Sequence, residues 1–169
     1  MKPEQFTVGF IGAGNMAEAI AGALISADTA LSSNILMADV DERRLNKMAE
    51  TYGVKTTEDN LDAFLQSHVV ILAVKPQKVQ EEVSALAQRP DYSVTSRKRF
   101  VSICAGVRIE KLESMLYPSL SEEEQQRLPI IRVMPNTPAL VLSGMSAMSP
   151  NRHATPQDLD LTRTLLESM

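Results

Sequence analysis

TVGFIGAGNMAEAI, Thr7 to Ile20, begins as a strand and ends as a helix. Thr7 to Gly12 is a short apolar run that stops at glycine, and Asn15 to Ser26 then carries Met16, Ile20, Ala23 and Leu24 at helical spacing. Between the two lies Gly12-Ala13-Gly14-Asn15-Met16-Ala17, a G-x-G-x-x-A turn. Gly12 permits the tight turn, Gly14 lets the backbone approach a pyrophosphate, and Ala17 lets the helix pack closely on the strand. The amides that open the helix, at the positive end of its dipole, then face the phosphates. Such a turn also occurs as a purely structural device. Here it stands at the first strand–helix junction, where a dinucleotide site requires it.

Outward from this turn the same alternation continues. Asn34 to Asp39 reads as a second strand, and Asp41 to Tyr52 as a helix with Leu45, Met48, Ala49 and Tyr52 inside and Gly53 as its stop. Val54 to Thr56 is a short third strand and Thr57 to Gln66 a helix. His68 to Val74 is a continuous β-branched run, the signature of a parallel strand buried on both faces. Gln77 to Gln88, Arg99 to Cys104 and Arg108 to Leu116 add helix, strand and helix. The polar SLSEEEQQRL insert precedes a sixth strand, Pro129 to Met134, and Gly144 to Met148 offers a seventh. Strands alternating with helices at these intervals require right-handed crossovers. The expected fold is therefore α/β, doubly wound, a mostly parallel Rossmann-like sheet with helices on both faces. Thr155 and Pro156 open a last helix whose apolar stripe (Leu159, Leu165, Leu166, Met169) meets no stop signal, so the chain is expected to be part of a longer protein.

Composition agrees with one globular domain: of 169 residues, 44% are apolar and 22% charged. With 17 Lys+Arg against 21 Asp+Glu and a net charge of −4, there is no basic stripe to hold nucleic acid. No apolar stretch is long enough to cross a bilayer, and the N-terminus lacks the pattern of a signal peptide. A single cysteine, Cys104, fits a reducing compartment, and the protein is expected to be cytoplasmic. Cys104 reads as a small buried residue rather than a nucleophile, and neither His68 nor His153 shows ligand spacing, so no metal is expected.

The remaining chemistry lies at strand ends, which a parallel sheet gathers along one edge. Asp39 closes the second strand, 22 residues beyond Ala17, where a carboxylate bonds the adenosine ribose hydroxyls. It repels a 2′-phosphate and so favours NADH over NADPH, while Arg43 and Arg44 are near enough in sequence to offer a counter-charge. The alternative is that Asp39 or Asp41 caps the following helix and the arginines are its solvated face. The fourth strand runs into Ala73-Val74-Lys75-Pro76, where proline forces Lys75 out of the helical region. Lys75 then meets ribose or phosphate, or is an ordinary loop lysine. The fifth ends in small residues, Ser102 to Gly106, that let a planar ring lie against the backbone. The sixth ends in Met134-Pro135-Asn136-Thr137-Pro138, where two prolines stiffen an amide and a hydroxyl.

With GFIGAGNMAEAI, LAVKPQ, SICAGV and RVMPNTPALV in this order, the sequence resembles pyrroline-5-carboxylate reductase from Val8 to the helix after Thr155. The glycine motif is shared with many dehydrogenases; AVKP followed by CAGV and MPNTPALV is specific to this family. The resemblance implies hydride transfer from NADPH or NADH to the cyclic imine of 1-pyrroline-5-carboxylate, giving L-proline. It implies pyrophosphate contacts at Ile11, Gly12, Ala13, Gly14, Asn15 and Met16, and ribose contacts at Asp39, Val40 and, as in some members, Asn60. Ala73, Val74, Lys75 and Pro76, with Ala105 and Gly106, then bound the nicotinamide, and Asn136, Thr137 and Pro138 form the wall of the active site. Asp39 departs from the small polar residue of many members, which leans the cofactor toward NADH.

Family members continue into a helical domain that forms the dimer, holds the substrate carboxylate and carries a hydroxyl residue suggested as proton donor. The expected organisation is thus an NAD(P)-binding domain over residues 1–154 and, over 155–169, the start of a helix leading to that second domain. On its own the chain is expected to bind cofactor with little or no turnover, the parent protein being a homodimer or larger. The alternatives are a non-catalytic dinucleotide-binding module and a β-hydroxyacid-type dehydrogenase.

Overall fold

The computed structural model describes residues 6–135 and 146–167. Seven strands form one sheet: β1 (Val8–Ile11), β2 (Ile35–Ala38), β3 (Lys55–Thr57), β4 (Val69–Leu72), β5 (Arg99–Ser102), β6 (Ile130–Pro135) and β7 (Ser146–Pro150). The helices are α1 (Asn15–Ser26), α2 (Glu42–Tyr52), α3 (Asn60–Leu65), α4 (Val79–Ala87), α5 (Ile109–Leu116), α6 (Glu122–Arg127) and α7 (Pro156–Glu167). The strand order is β3-β2-β1-β4-β5-β6-β7. All neighbours are parallel except β6 and β7. This is the expected doubly wound α/β fold. The chain order reverses between β1 and β4, and the crevice outside the carboxyl ends of these strands is where such sheets bind ligands.

The two sides of the sheet are read from β4, whose four residues are all buried. Val69 and Ile71 join a core with Ala17, Ile20, Ala21 and Leu24 of α1, Leu45 and Met48 of α2, and Leu161 and Leu165 of α7. Val70 and Leu72 face the opposite way, into a core with Phe64 of α3, Val83 of α4 and Leu112 and Leu116 of α5. A strand without a polar face therefore lies between two helical layers. Of the stripe read for the last helix, Leu165 is buried and Leu159 and Leu166 are partly buried, while Leu161 supplies a core contact that the stripe omitted. Met169 lies outside the described residues.

Helix ends follow local chemistry. Asp41 caps α2, its carboxylate accepting from the amides of Arg43 and Arg44, and Gly53 ends that helix in the left-handed region at φ 67°. Asp59 caps α3, so this helix starts at Asn60, three residues later than the apolar pattern predicts. Ser121 and Glu124 form a reciprocal capping box that opens α6, within the polar insert before the sixth strand.

Candidate dinucleotide site

The first turn contains two glycines under different constraints. Gly12 has φ +97°, and a Cβ placed there would lie 2.9 Å from the Ala73 carbonyl oxygen. No L side chain fits that conformation and that gap together. Gly14 has φ −70°, and a Cβ added there meets nothing within 4 Å. The fold alone therefore demands Gly12 but leaves Gly14 beside open space. No side chain caps α1. Among the described residues, the amides of Gly14, Asn15 and Met16 meet no acceptor. Free amides, a helix dipole and open space together fit a pyrophosphate.

The turn is held in place from β2 and α2. Asp39 Oδ2 accepts a 2.7 Å bond from the Ala13 amide, and Asp39 Oδ1 accepts from the Asp41 amide. Arg44 Nε donates to the Ala13 carbonyl at 2.6 Å, and its terminal nitrogen pairs with Glu18 at 2.7 Å. Lys47 also pairs with Glu18. The Lys47 bond, opposed by desolvation and helped by Arg44, holds the Glu18 carboxyl below its ordinary value. Two sequence readings are settled by these bonds. Asp41, not Asp39, caps the helix, and Arg44 is turned toward the glycine turn rather than standing free as a counter-charge. Arg43 is exposed, and its side chain has no partner among the described residues.

Next to Asp39, the apolar side chain of Val40 is 83% exposed. A small cavity of about 40 Å³ is lined by Gly12, Ala38, Asp39, Val40, Asn60, Val74 and Glu82. It brings Asn60, from the start of α3, beside the β2 carboxylate. Asn60 Nδ2 donates to Glu82 Oε2 at 2.8 Å, which leaves the amide oxygen of Asn60 to accept from a hydroxyl. Glu82 was missed by the sequence reading, because nothing local to α4 signals a contact 22 residues away.

Farther along the same edge, Ala73 and Val74 are half-buried, and Lys75 and Pro76 are exposed. Lys75 is extended (φ −60°, ψ 140°), as the following proline requires. Ala105 and Gly106 are exposed, and Gly106 adopts φ +73°. Cys104 is buried, and its thiol donates to the Val74 carbonyl at 3.3 Å. Burial pushes that thiol above its ordinary value, which suits a packing role. Asn136, Thr137 and Pro138 lie outside the described residues. The structure thus gathers the read positions from Ile11 to Gly106 along the carboxyl edge of β2, β1, β4 and β5.

Residues 7–106 match the family model described as NADP oxidoreductase, coenzyme F420-dependent. The chain belongs to this family. It is 34% identical to the pyrroline-5-carboxylate reductase of Vibrio alginolyticus over 98% of the chain and 56% of that protein. It is 35% identical to the enzyme of the same name from Methanosarcina acetivorans, over 92% of the chain and 53% of the relative. Among solved structures, a pyrroline-5-carboxylate reductase from Coxiella burnetii superposes with a TM-score of 0.83 at 28% identity, over 96% of this chain and 56% of that one. The Plasmodium falciparum pyrroline carboxylate reductase, solved with NADP bound, has the same fold (TM-score 0.77, 24% identity, 98% and 55% coverage). The resemblance read from the four motifs is therefore borne out across almost the whole chain. The chain spans about half the length of the curated relatives it matches. No helix among the described residues is long and apolar enough to cross a membrane.

Proposed function

We propose that this chain is the cofactor-binding part of an NAD(P)H-dependent pyrroline-5-carboxylate reductase, acting in the last step of proline synthesis. The observation that carries the reading is the bare start of α1: free amides and open space at Gly14, beside a turn that Asp39 and Arg44 hold rigid. The cofactor, when bound, supplies a hydride to the carbon of the cyclic imine. Gly12, Ala13, Gly14, Asn15 and Met16 hold the pyrophosphate, Asp39 and Asn60 accept from ribose hydroxyls, and Val40 packs on adenine. Ala73, Val74, Lys75, Pro76, Ala105 and Gly106 bound the nicotinamide, and Asn136, Thr137 and Pro138 line the substrate side. A turn already fixed in its binding shape loses little entropy when it closes on the ligand. Asp39 and Glu82 place two carboxylates at the ribose cavity, which supports NADH over NADPH; the NADP bound to the Plasmodium relative supports a site able to take either. The helix from Pro156 leads toward a dimer-forming helical part of a cytoplasmic homo-oligomer, the half of the relatives' length that this chain does not span.

The test is titration with NADH and with NADPH, followed by addition of pyrroline-5-carboxylate while absorbance at the reduced nicotinamide band is recorded. Binding followed by oxidation supports the reductase reading in full, and binding alone supports the cofactor-binding part. Failure to bind either dinucleotide overturns it.

A further inference from the structure

The Ala13–Gly14 peptide group connects two observations. Its carbonyl is fixed by Arg44, and its amide is among those that meet no acceptor in the described residues. In a planar trans peptide, carbonyl and N–H point in opposite directions. Drawing the Ala13 oxygen toward α2 therefore turns the Gly14 N–H away from α2, toward the open space at the start of α1. The preceding peptide is fixed the other way, its N–H donated to Asp39. Two adjacent peptide groups are thus set by two side chains of opposite charge, one from the end of β2 and one from α2.

Arg44 is well placed for this work. Its guanidinium uses Nε for the Ala13 carbonyl and a terminal nitrogen for Glu18, so the planar fork is held at two points. Its side chain is 20% exposed, and Glu18 is 19% exposed. Glu18 is itself steadied by Lys47. A guanidinium held at Nε by a carbonyl and at a terminal nitrogen by a carboxylate is anchored beside the turn, and swinging it out to a 2′-phosphate would break both bonds. Arg43, one residue earlier, is exposed and has no such commitment.

We infer that Arg44 is a positioning residue that aims the Gly14 amide at the dinucleotide pyrophosphate, and that Arg43 alone of this pair is available to a 2′-phosphate. The inference rests on the dinucleotide reading of the turn. It divides two adjacent arginines by role: Arg44 acts on what NADH and NADPH share, and Arg43 on what distinguishes them.

The test is fluorescence titration of the wild type and four variants with NADH and with NADPH. Arg44→Met removes the bond to the Ala13 carbonyl and is expected to weaken both dinucleotides by the same factor, about tenfold or more. Arg44→Lys keeps one donor and is expected to recover part of that loss. Lys47→Met removes another partner of Glu18 without touching Ala13 and is expected to leave both affinities unchanged. Arg43→Gln is expected to weaken NADPH and leave NADH as it was. A loss for Lys47→Met equal to that for Arg44→Met would reduce Arg44 to helix packing and overturn the inference. So would a loss in Arg44→Met confined to NADPH, since that would make Arg44 a phosphate ligand. If the wild type binds neither dinucleotide, the reading of the turn falls and the inference falls with it; wild-type binding with unaltered Arg44 variants overturns the inference alone.

Discussion

The two edges of the sheet both concentrate charge, and they use it in opposite ways. At the amino edge, before β5, Asp158 has 0% side-chain exposure and meets Arg99 at 2.7 Å and Arg97 at 2.5 Å. It also accepts from the amide and hydroxyl of Thr155, which joins the first turn of α7 to the sheet. Arg97 donates in addition to the carbonyls of Gln126 and His153. Every strong group in this cluster is satisfied. At the carboxyl edge, around Gly14, amides remain free, Val40 stands in solvent, and the ordered bonds serve to aim the open groups. A saturated buried cluster is architecture, whereas a rigid arrangement with unmet donors is a candidate site.

This contrast is open to attack first at the amino edge. Asp158→Asn removes the charge that Arg97 and Arg99 share and is expected to lower unfolding free energy by about 3–5 kcal/mol, with dinucleotide affinity at the opposite edge unchanged. Urea unfolding and titration of one variant measure both. Burial raises the Asp158 carboxyl, but the Arg97 and Thr155 bonds outweigh it and hold the group well below its ordinary value of 3.8. The stability it contributes is thus complete above that value and is lost as pH falls toward the native one.

Lys98, at the same edge, gives a pH signature of the same sign in an alkaline window. Its side chain is buried, its ammonium donates to the Ser67 and Leu65 carbonyls at the end of α3, and it lies 5.1 Å from the centre of the Phe64 ring. Burial pulls it from 10.5 down to about 8. Between these values the unfolded chain binds the proton and the folded chain does not, so stability rises with pH by on the order of 3 kcal/mol. Lys98→Met is expected to lose this rise, measured as the difference in urea-unfolding free energy between pH 7.5 and 10.5. An equal rise in the variant would assign it to other groups.

At the carboxyl edge the expected effect is smaller and concerns selectivity. Asp39→Asn keeps an acceptor for the Ala13 amide while removing the charge beside the ribose cavity. The NADPH-to-NADH affinity ratio should increase about tenfold, or ~1.4 kcal/mol. An unchanged ratio, measured by paired titrations, would confine Asp39 to holding the turn.

The frame of the molecule was legible because its signals are local and periodic. The continuous apolar run at β4 marked a strand buried on both faces, and α1 spans the residues its helical spacing indicates. The glycine turn could be found in sequence because Gly12 answers to backbone geometry and Gly14 to empty space, both within six residues. The antiparallel direction of β7 was not legible, since pairing with β6 is a long-range choice that leaves no mark on composition. Nor were the bonds that complete the site. Arg44 stood near Asp39 in sequence and looked like a counter-charge, yet its partners are Ala13 and Glu18, 31 and 26 residues away. Glu82 and Lys98 act likewise through distant partners. Position at a strand end is encoded locally, whereas the direction in which a long side chain points is decided by the packed neighbours.

The Gly14→Val substitution places the two demands on the turn in direct opposition. It fills space that the fold leaves open and the pyrophosphate needs. NADH titration of wild type and variant, alongside their urea midpoints, should show binding in the first, a loss of about a hundredfold or more in the second, and equal midpoints. Unchanged NADH affinity in a folded Gly14→Val protein would contradict the assignment of this turn.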